Sequence, residues 1–161
     1  RSSDLFSAPA GQAEASVVDL ASRQRDARGA DAWVRLGAEL EAVDPERACD
    51  AYRRAVELDP QHADAAINLG CLHHERGRLA EAEKHYRAAL AARPDATGWF
   101  DLAVVLEDQG RDDEARRAYE AALASDAACA EAHFNLAGLL ERAGESAAAL
   151  RHLTAYRRLS R

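Results

Sequence analysis

The feature that most limits what this chain can fold into is its self-similarity at steps of 33 or 34 residues. Leu36, Leu69, Leu102 and Leu136 form one series, and Gly37, Gly70, Ala103 and Ala137 run beside it. Ala48, Ala82, Ala115 and Ala149 form a third, and Tyr52, Tyr86, Tyr119 and Leu153 a fourth. Small residues recur again at Ala55, Ala89 and Ala122. A fixed period of this length marks one supersecondary unit that cannot bury its apolar face alone and is covered by stacking on its neighbours.

Within each period the apolar spacing is helical. Trp33, Leu36, Gly37 and Leu40 fall at i, i+3, i+4 and i+7, which puts them on one helix face. Ala66, Leu69, Gly70 and His73 repeat the stripe, as do Trp99, Leu102, Ala103 and Leu106, then His133, Leu136, Ala137 and Leu140. A second stripe follows in each period, carried by the Ala-Tyr-Ala series. Each period is therefore two amphipathic helices, the small residues of the first letting the second approach while the Tyr fills the space beside them. Gly77, Gly110 and Gly144 stand just past the first helices, where a left-handed residue ends a helix. The first period has Val43-Asp44-Pro45 instead, with Asp44 suited to cap and Pro45 to start the second helix. Pro60 and Pro94 mark turns between periods, and Ala127 holds the third such place.

With these residues in view, the chain resembles the tetratricopeptide repeat, whose pattern runs W-x2-L-G-x2-Y, a loop Gly, then A-x3-F-x2-A and P. Residues 63–95 carry it best, through Leu69, Gly70, Gly77, Ala82, Tyr86, Ala89 and Pro94. The resemblance implies an all-α fold, an α-α superhelix or right-handed solenoid of antiparallel helix pairs. The expected layout is four repeats at 30–62, 63–95, 96–129 and 130–161, preceded by a lead-in helix over 13–29 and a linker over 1–12. Asp26-Ala27-Arg28-Gly29-Ala30-Asp31 parallels Asp59-Pro60-Gln61-His62-Ala63-Asp64, which suggests a turn before Ala30 and a degenerate second helix before it, with Val17, Val18, Leu20 and Ala21 facing the array. Ser2, Ser3, Ser7, Pro9 and Gly11 favour a linker for the first dozen residues.

In this family the first helices line a concave face, and the resemblance places candidate groove residues by position. The sixth position of each period gives Arg35, Asn68, Asp101 and Asn135, and the ninth gives Ala38, Cys71, Val104 and Gly138. The small ninth residues leave the groove open. An Asn amide offers both a donor and an acceptor to an extended peptide backbone. Phe100 and Phe134, one step beyond the Trp slot, are the expected aromatic anchors, and His74 faces the groove. Some members of the family hold an acidic C-terminal tail with a Lys/Arg/Asn clamp. Here the fifth positions are Val34, Ile67, Phe100 and Phe134, and Asp64, Glu75, Asp101, Glu107, Asp108, Glu131 and Glu141 outnumber Arg35 and Arg142. The expected partner is a protein or peptide segment, neutral or basic, and not acidic-tailed.

Charge and composition narrow the alternatives. A formal net charge of −7 argues against nucleic acid as a ligand, since its binding rests on cations neutralising phosphates. Lys84 is the one lysine, a bias that with the abundant Ala suggests a GC-rich bacterial genome. The chain starts at Arg1 and has no Met, so it is expected to be part of a longer protein. Cys49, Cys71 and Cys129 are odd in number and lack CxxC spacing, which favours reduced thiols. No apolar run long enough to cross a bilayer and no signal segment is visible, so the expected compartment is the cytoplasm.

Catalytic and metal chemistry find little support. His73 and His74 are adjacent, so on a helix they point about 100° apart and chelate poorly together. His73 takes the packing slot of Leu40, Leu106 and Leu140, while His62, His85, His133 and His152 form no ligand set. Cys71 with His74 one turn on is the nearest approach to a nucleophile and base, with no oxyanion site. No enzyme activity, no cofactor and no metal are expected. In the last helix Leu150, Leu153, Tyr156 and Leu159 form an apolar stripe among Arg151, Arg157, Arg158 and Arg161, a pattern that fits self-association through the C-terminal helix. The expected function is a protein–protein interaction scaffold. The alternative is the regulatory or oligomerising arm of a bacterial regulator, because Leu5-Phe6, Val17-Val18-Asp19-Leu20 and Leu153 to Leu159 look similar to the C-terminal portion of MerR-type regulators. No DNA-reading helix lies in these residues.

Overall fold

The computed structural model describes the backbone from Ala10 to Arg161, and the side chains of Leu20 and of residues 22–161. Residues 1–9, with most of the expected linker and the Leu5-Phe6 pair, lie outside the described residues, as do the side chains of Val17, Val18 and Ala21. Eight helices and no strand occur among the described residues: α1 (Ala10–Leu40), α2 (Pro45–Leu58), α3 (Ala63–Glu75), α4 (Leu79–Ala92), α5 (Ala96–Asp108), α6 (Asp112–Ser125), α7 (Ala130–Arg142) and α8 (Ser146–Leu159). The chain divides into two compact units, Arg1–Pro60 with α1 and α2, and Gln61–Arg161 with α3 to α8. In the second unit each helix packs with its partner in the pair, and α4 then packs on α5 and α6 on α7. This is the all-α solenoid architecture of helix pairs that the periodicity implies.

The pairs close around the aligned tyrosines. Tyr52, Tyr86 and Tyr119 are fully buried, and burying a ring of this size contributes roughly 1.5–3 kcal/mol. A Cβ added at Gly70 would lie 2.7 Å from Cε1 of Tyr86, and one at Gly37 would lie 2.5 Å from Cε1 of Tyr52. The ring thus occupies the space that a side chain on the first helix would need. In the third pair Ala103 and Tyr119 are both wholly buried in the same core.

The turns inside the pairs follow from backbone chemistry. Gly110 ends α5 with φ +73, and its N–H donates to the Glu107 carbonyl at 2.8 Å while the Arg111 N–H reaches the Leu106 carbonyl at 2.9 Å. This is the Schellman arrangement, which satisfies two of the carbonyls a helix end leaves bare. Gly77 and Gly144 repeat it, with φ 72 and 78. At the starts, the Arg47 N–H donates to Asp44 Oδ1 at 3.1 Å with Pro45 in the first turn, and the Gly98 N–H donates to Asp95 Oδ1 at 2.8 Å. His62 caps α3 through Nδ1, which accepts from the Ala65 N–H at 3.1 Å.

The structure departs from the expected layout at one place. The turn expected at 26–31 is absent, and the lead-in helix and the first helix of the first repeat form the single 31-residue helix α1. The parallel segment 59–64 breaks because Pro60 cannot continue a helix, and no proline stands in 26–31. A lone Gly29 among Ala and Arg costs only about 1 kcal/mol relative to Ala, too little to end a helix. One consequence shows in the packing stripe. Trp33 and Leu36 are 37% and 40% exposed, whereas Leu102 and Leu136 in the equivalent slot are each 1% exposed.

Two glycine substitutions separate two causes of stability. Gly70→Ala should lower stability by about 1–2 kcal/mol, because overpacking against Tyr86 outweighs the gain in helix propensity. Gly110→Ala, where nothing lies within 4 Å of the added Cβ, should cost about 1–2 kcal/mol from left-handed backbone alone. Urea unfolding of each in the background of Tyr86→Leu checks this: the smaller side chain should shrink the first cost and leave the second unchanged.

Candidate partner-binding surface

Nine of the ten residues placed on the groove by position lie on α3, α5 and α7 of the second unit; the tenth, Arg35, is exposed on α1 of the first. The fold gathers these nine unevenly. Cys71, His74 and Asp101 line one open cleft of about 670 Å³ with Glu75, Tyr86 and Asp108. Phe134, Asn135 and Gly138 line another, of about 300 Å³, with Glu107 and Glu141. Asn68 is half-buried on α3 and lines neither cleft. Phe100 and Val104 are half-buried against the core, and Phe100 leans on Tyr119 with ring centroids 5.9 Å apart. Of the two aromatic anchors, Phe134 is the one that stands out, 53% exposed and packed on one side against Tyr156 at 5.1 Å.

The tyrosine hydroxyls reach this surface, which the packing pattern alone does not reveal. Tyr86 Oη donates to Cys71 Sγ at 3.5 Å. Tyr119 Oη donates to Glu107 Oε2 at 2.7 Å and accepts from Asn135 Nδ2 at 3.1 Å. The Asn135 amide is thus held in place by its own fold. Tyr52 likewise bonds Glu41 in the first unit. Glu41, His74 and Glu107 are spaced 33 residues apart, so a further periodic series was there to be read, with His74 standing where the other two repeats place a carboxylate. His74 instead meets the edge of the Tyr86 ring at 6.3 Å.

Polar side-chain pairs link successive first helices along this surface. His74 Nε2 lies 2.5 Å from Asp108 Oδ2, and Arg142 Nη2 donates to Glu107 Oε1 at 2.8 Å. Asp64 is engaged by Arg93 at 2.7 Å, and the Arg93 hydrogen bond holds its carboxyl below the usual range. Part of the acidic excess counted from sequence is therefore neutralised by neighbours. Asp101 differs: among the described residues it forms no salt bridge. Burial raises its carboxyl to about 6, against a smaller opposing pull from His74 and a push in the same direction from Asp95.

The remaining polar groups serve the fold. His73 is buried and stacks face to face on His85 with centroids 5.3 Å apart, as its packing slot implies. His133, in the Trp slot, faces His152 with their Nδ1 atoms 2.9 Å apart, and its Nε2 lies 3.0 Å from the Ala127 carbonyl. Burial, with the neighbouring His133, lowers the His152 imidazole. Among the described residues no three His, Cys, Asp or Glu side chains are grouped to hold a metal ion, and no helix is long and apolar enough to cross a membrane.

Known proteins match this chain through its repeats. The family model for the tetratricopeptide repeat matches residues 38–97, 75–116 and 100–161. The probable UDP-N-acetylglucosamine–peptide N-acetylglucosaminyltransferase SPINDLY of Arabidopsis thaliana is 35% identical over 81 residues, 50% of this chain and 9% of that protein. The photosystem I assembly protein Ycf3 of Synechococcus sp. (strain CC9311) is 38% identical over 58 residues, 36% of this chain and 30% of that one. The chain thus spans well under two thirds of these relatives. A crystal structure of MamA superposes with a TM-score of 0.77, covering 96% of each chain at 17% identity, a likeness of fold.

The raised Asp101 carboxyl makes a pH prediction. A carboxyl whose folded pKa lies above its unfolded value of about 3.9 binds its proton more tightly in the native state. Its contribution to stability is present below about pH 4, is lost as pH rises to about 6, and stays lost above. Asp101→Asn should therefore raise the thermal midpoint at pH 7.5 and leave it nearly unchanged at pH 4. Calorimetry at both pH values reads the difference.

Proposed function

Starting from a chain that belongs to the tetratricopeptide-repeat family, we propose that it is a non-catalytic scaffold that binds a neutral or basic segment of a protein partner across the exposed faces of α3, α5 and α7. The observation that carries this reading is the cleft of Cys71, His74, Glu75, Tyr86, Asp101 and Asp108. Its floor offers a thiol and an aromatic ring, and its walls offer carboxylates. Asp101 is the group best suited to a cationic side chain or an amine. Its ionised form is poorly solvated, so an incoming cation relieves a cost already present in the free protein. A match to a transferase over 9% of that protein's length brings no catalytic centre to this chain. The Phe134–Tyr156 pair beside Asn135 and Gly138 supplies an apolar contact on the same set of helices.

Titration calorimetry with matched peptides tests the proposal. An extended peptide carrying Lys or Arg should bind at pH 7.5, about tenfold more weakly for Asp101→Asn, and more weakly at pH 5 as Asp101 takes up its proton. A peptide ending in acidic residues should bind at least tenfold more weakly than the basic one. Micromolar binding of the acidic-tailed peptide, or indifference of the basic one to Asp101→Asn, would overturn it.

A further inference from the structure

We infer that the cleft between α7 and α8 is a site for a tyrosine side chain of the partner segment, its hydroxyl donating to Glu141; this rests on the binding surface proposed above. The tyrosine series supplies the argument. In the first pair Tyr52 donates to Glu41, and in the third Tyr119 donates to Glu107 at 2.7 Å. One 34-residue step beyond Glu107 stands Glu141, and one such step beyond Tyr119 stands Leu153. The fourth pair therefore keeps the carboxylate that receives a tyrosine hydroxyl, but has no tyrosine at the place that supplies one. Glu141 is exposed, and among the described residues its side chain forms no salt bridge or hydrogen bond.

The ring of this pair stands one turn later in α8. The small-residue series Ala55, Ala89 and Ala122 continues to Tyr156, which packs on Phe134 at 5.1 Å and does not line the cleft. The opening of about 300 Å³ is lined there by Ala137, Gly138 and Leu153. Ala137 stands at the place of Gly37 and Gly70, against which Tyr52 and Tyr86 lie in their own pairs. Gly138 stands at the place of Cys71, which the Tyr86 hydroxyl meets at 3.5 Å. The cleft is thus bounded by the positions that meet a tyrosine elsewhere in the chain.

Its other neighbours favour an aromatic guest. A Cβ added at Gly138 would meet only Nη1 of Arg142 within 4 Å, at 3.7 Å, so a guanidinium stands beside an otherwise bare stretch of helix. The bond from Arg142 Nη2 to Glu107 keeps that group in place. A guanidinium and the exposed Phe134 ring are both surfaces on which an aromatic side chain packs well. The carboxylate then distinguishes tyrosine from phenylalanine, because a hydroxyl donating to it forms a charge-assisted bond.

Nuclear magnetic resonance titration with N-acetyltyrosinamide, compared with N-acetylphenylalaninamide, tests the site directly. The tyrosine compound should bind at millimolar concentration, shift the amide signals of Gly138 and Glu141, and bind about fivefold more tightly than the phenylalanine compound. Glu141→Ala should remove that preference. Leu153→Tyr supplies the ring within the chain, and Gly138→Leu fills the cleft from α7. Each should retain the helical circular dichroism and abolish binding. Absence of shifts at Gly138 and Glu141 overturns the proposal, as does equal affinity for the two compounds. So does binding that survives both Leu153→Tyr and Gly138→Leu. Neither compound carries a cation, so the result is independent of Asp101, and this site and the basic-segment reading fail separately.

Discussion

The aromatic ring that lies over a bare patch of helix is the contact on which the rest of this molecule depends. Two helices of 13 and 14 residues are marginal in water by themselves, and a turn of three residues brings them together without holding them. What holds them is Tyr86 set into the space left by Gly70, repeated as Tyr52 over Gly37, with Tyr119 buried in the same core as Ala103 in the third pair. Close approach fixes the distance between the helices of a pair. That distance in turn decides which residues of the first helix remain available on the far side.

The same rings link packing to the candidate site. Each ring is buried, and its hydroxyl bonds to residues of the candidate surface, where Tyr86 meets Cys71 and Tyr119 meets both Glu107 and Asn135. Burial with these acceptors raises both phenols well above the ordinary tyrosine value. They therefore act as fixed donors to Cys71 and Glu107. Scaffold and surface are accordingly one structure: a substitution that shifts the ring also moves the hydrogen-bonding groups that a partner would meet.

Much of the fold was legible because the residues that pack are the residues that repeat. The Leu, Gly/Ala, Ala and Tyr series each report one packing slot, and the left-handed glycines after α3, α5 and α7 report the turns. Legibility failed where a likeness of sequence lacked its physical cause. Residues 26–31 resemble 59–64 but have no proline, and α1 runs through them unbroken. The state of the candidate surface residues was less legible. The Asn135 amide is already bonded to Tyr119, and Phe100 leans into the core while Phe134 does not. Such differences arise from contacts between side chains on different helices, which no period in the chain records. The Glu41, His74 and Glu107 series is the exception, a period that the sequence does carry outside the packing slots.

The polar pairs that run between successive first helices have a mechanical meaning. His74–Asp108 and Arg142–Glu107 are each at least partly in water, and pairs of that kind are worth only about 0–1 kcal/mol. They act less like rivets than like latches, which open at little cost in energy. The buried rings behind them stay where they are, so the rim can yield while the frame does not.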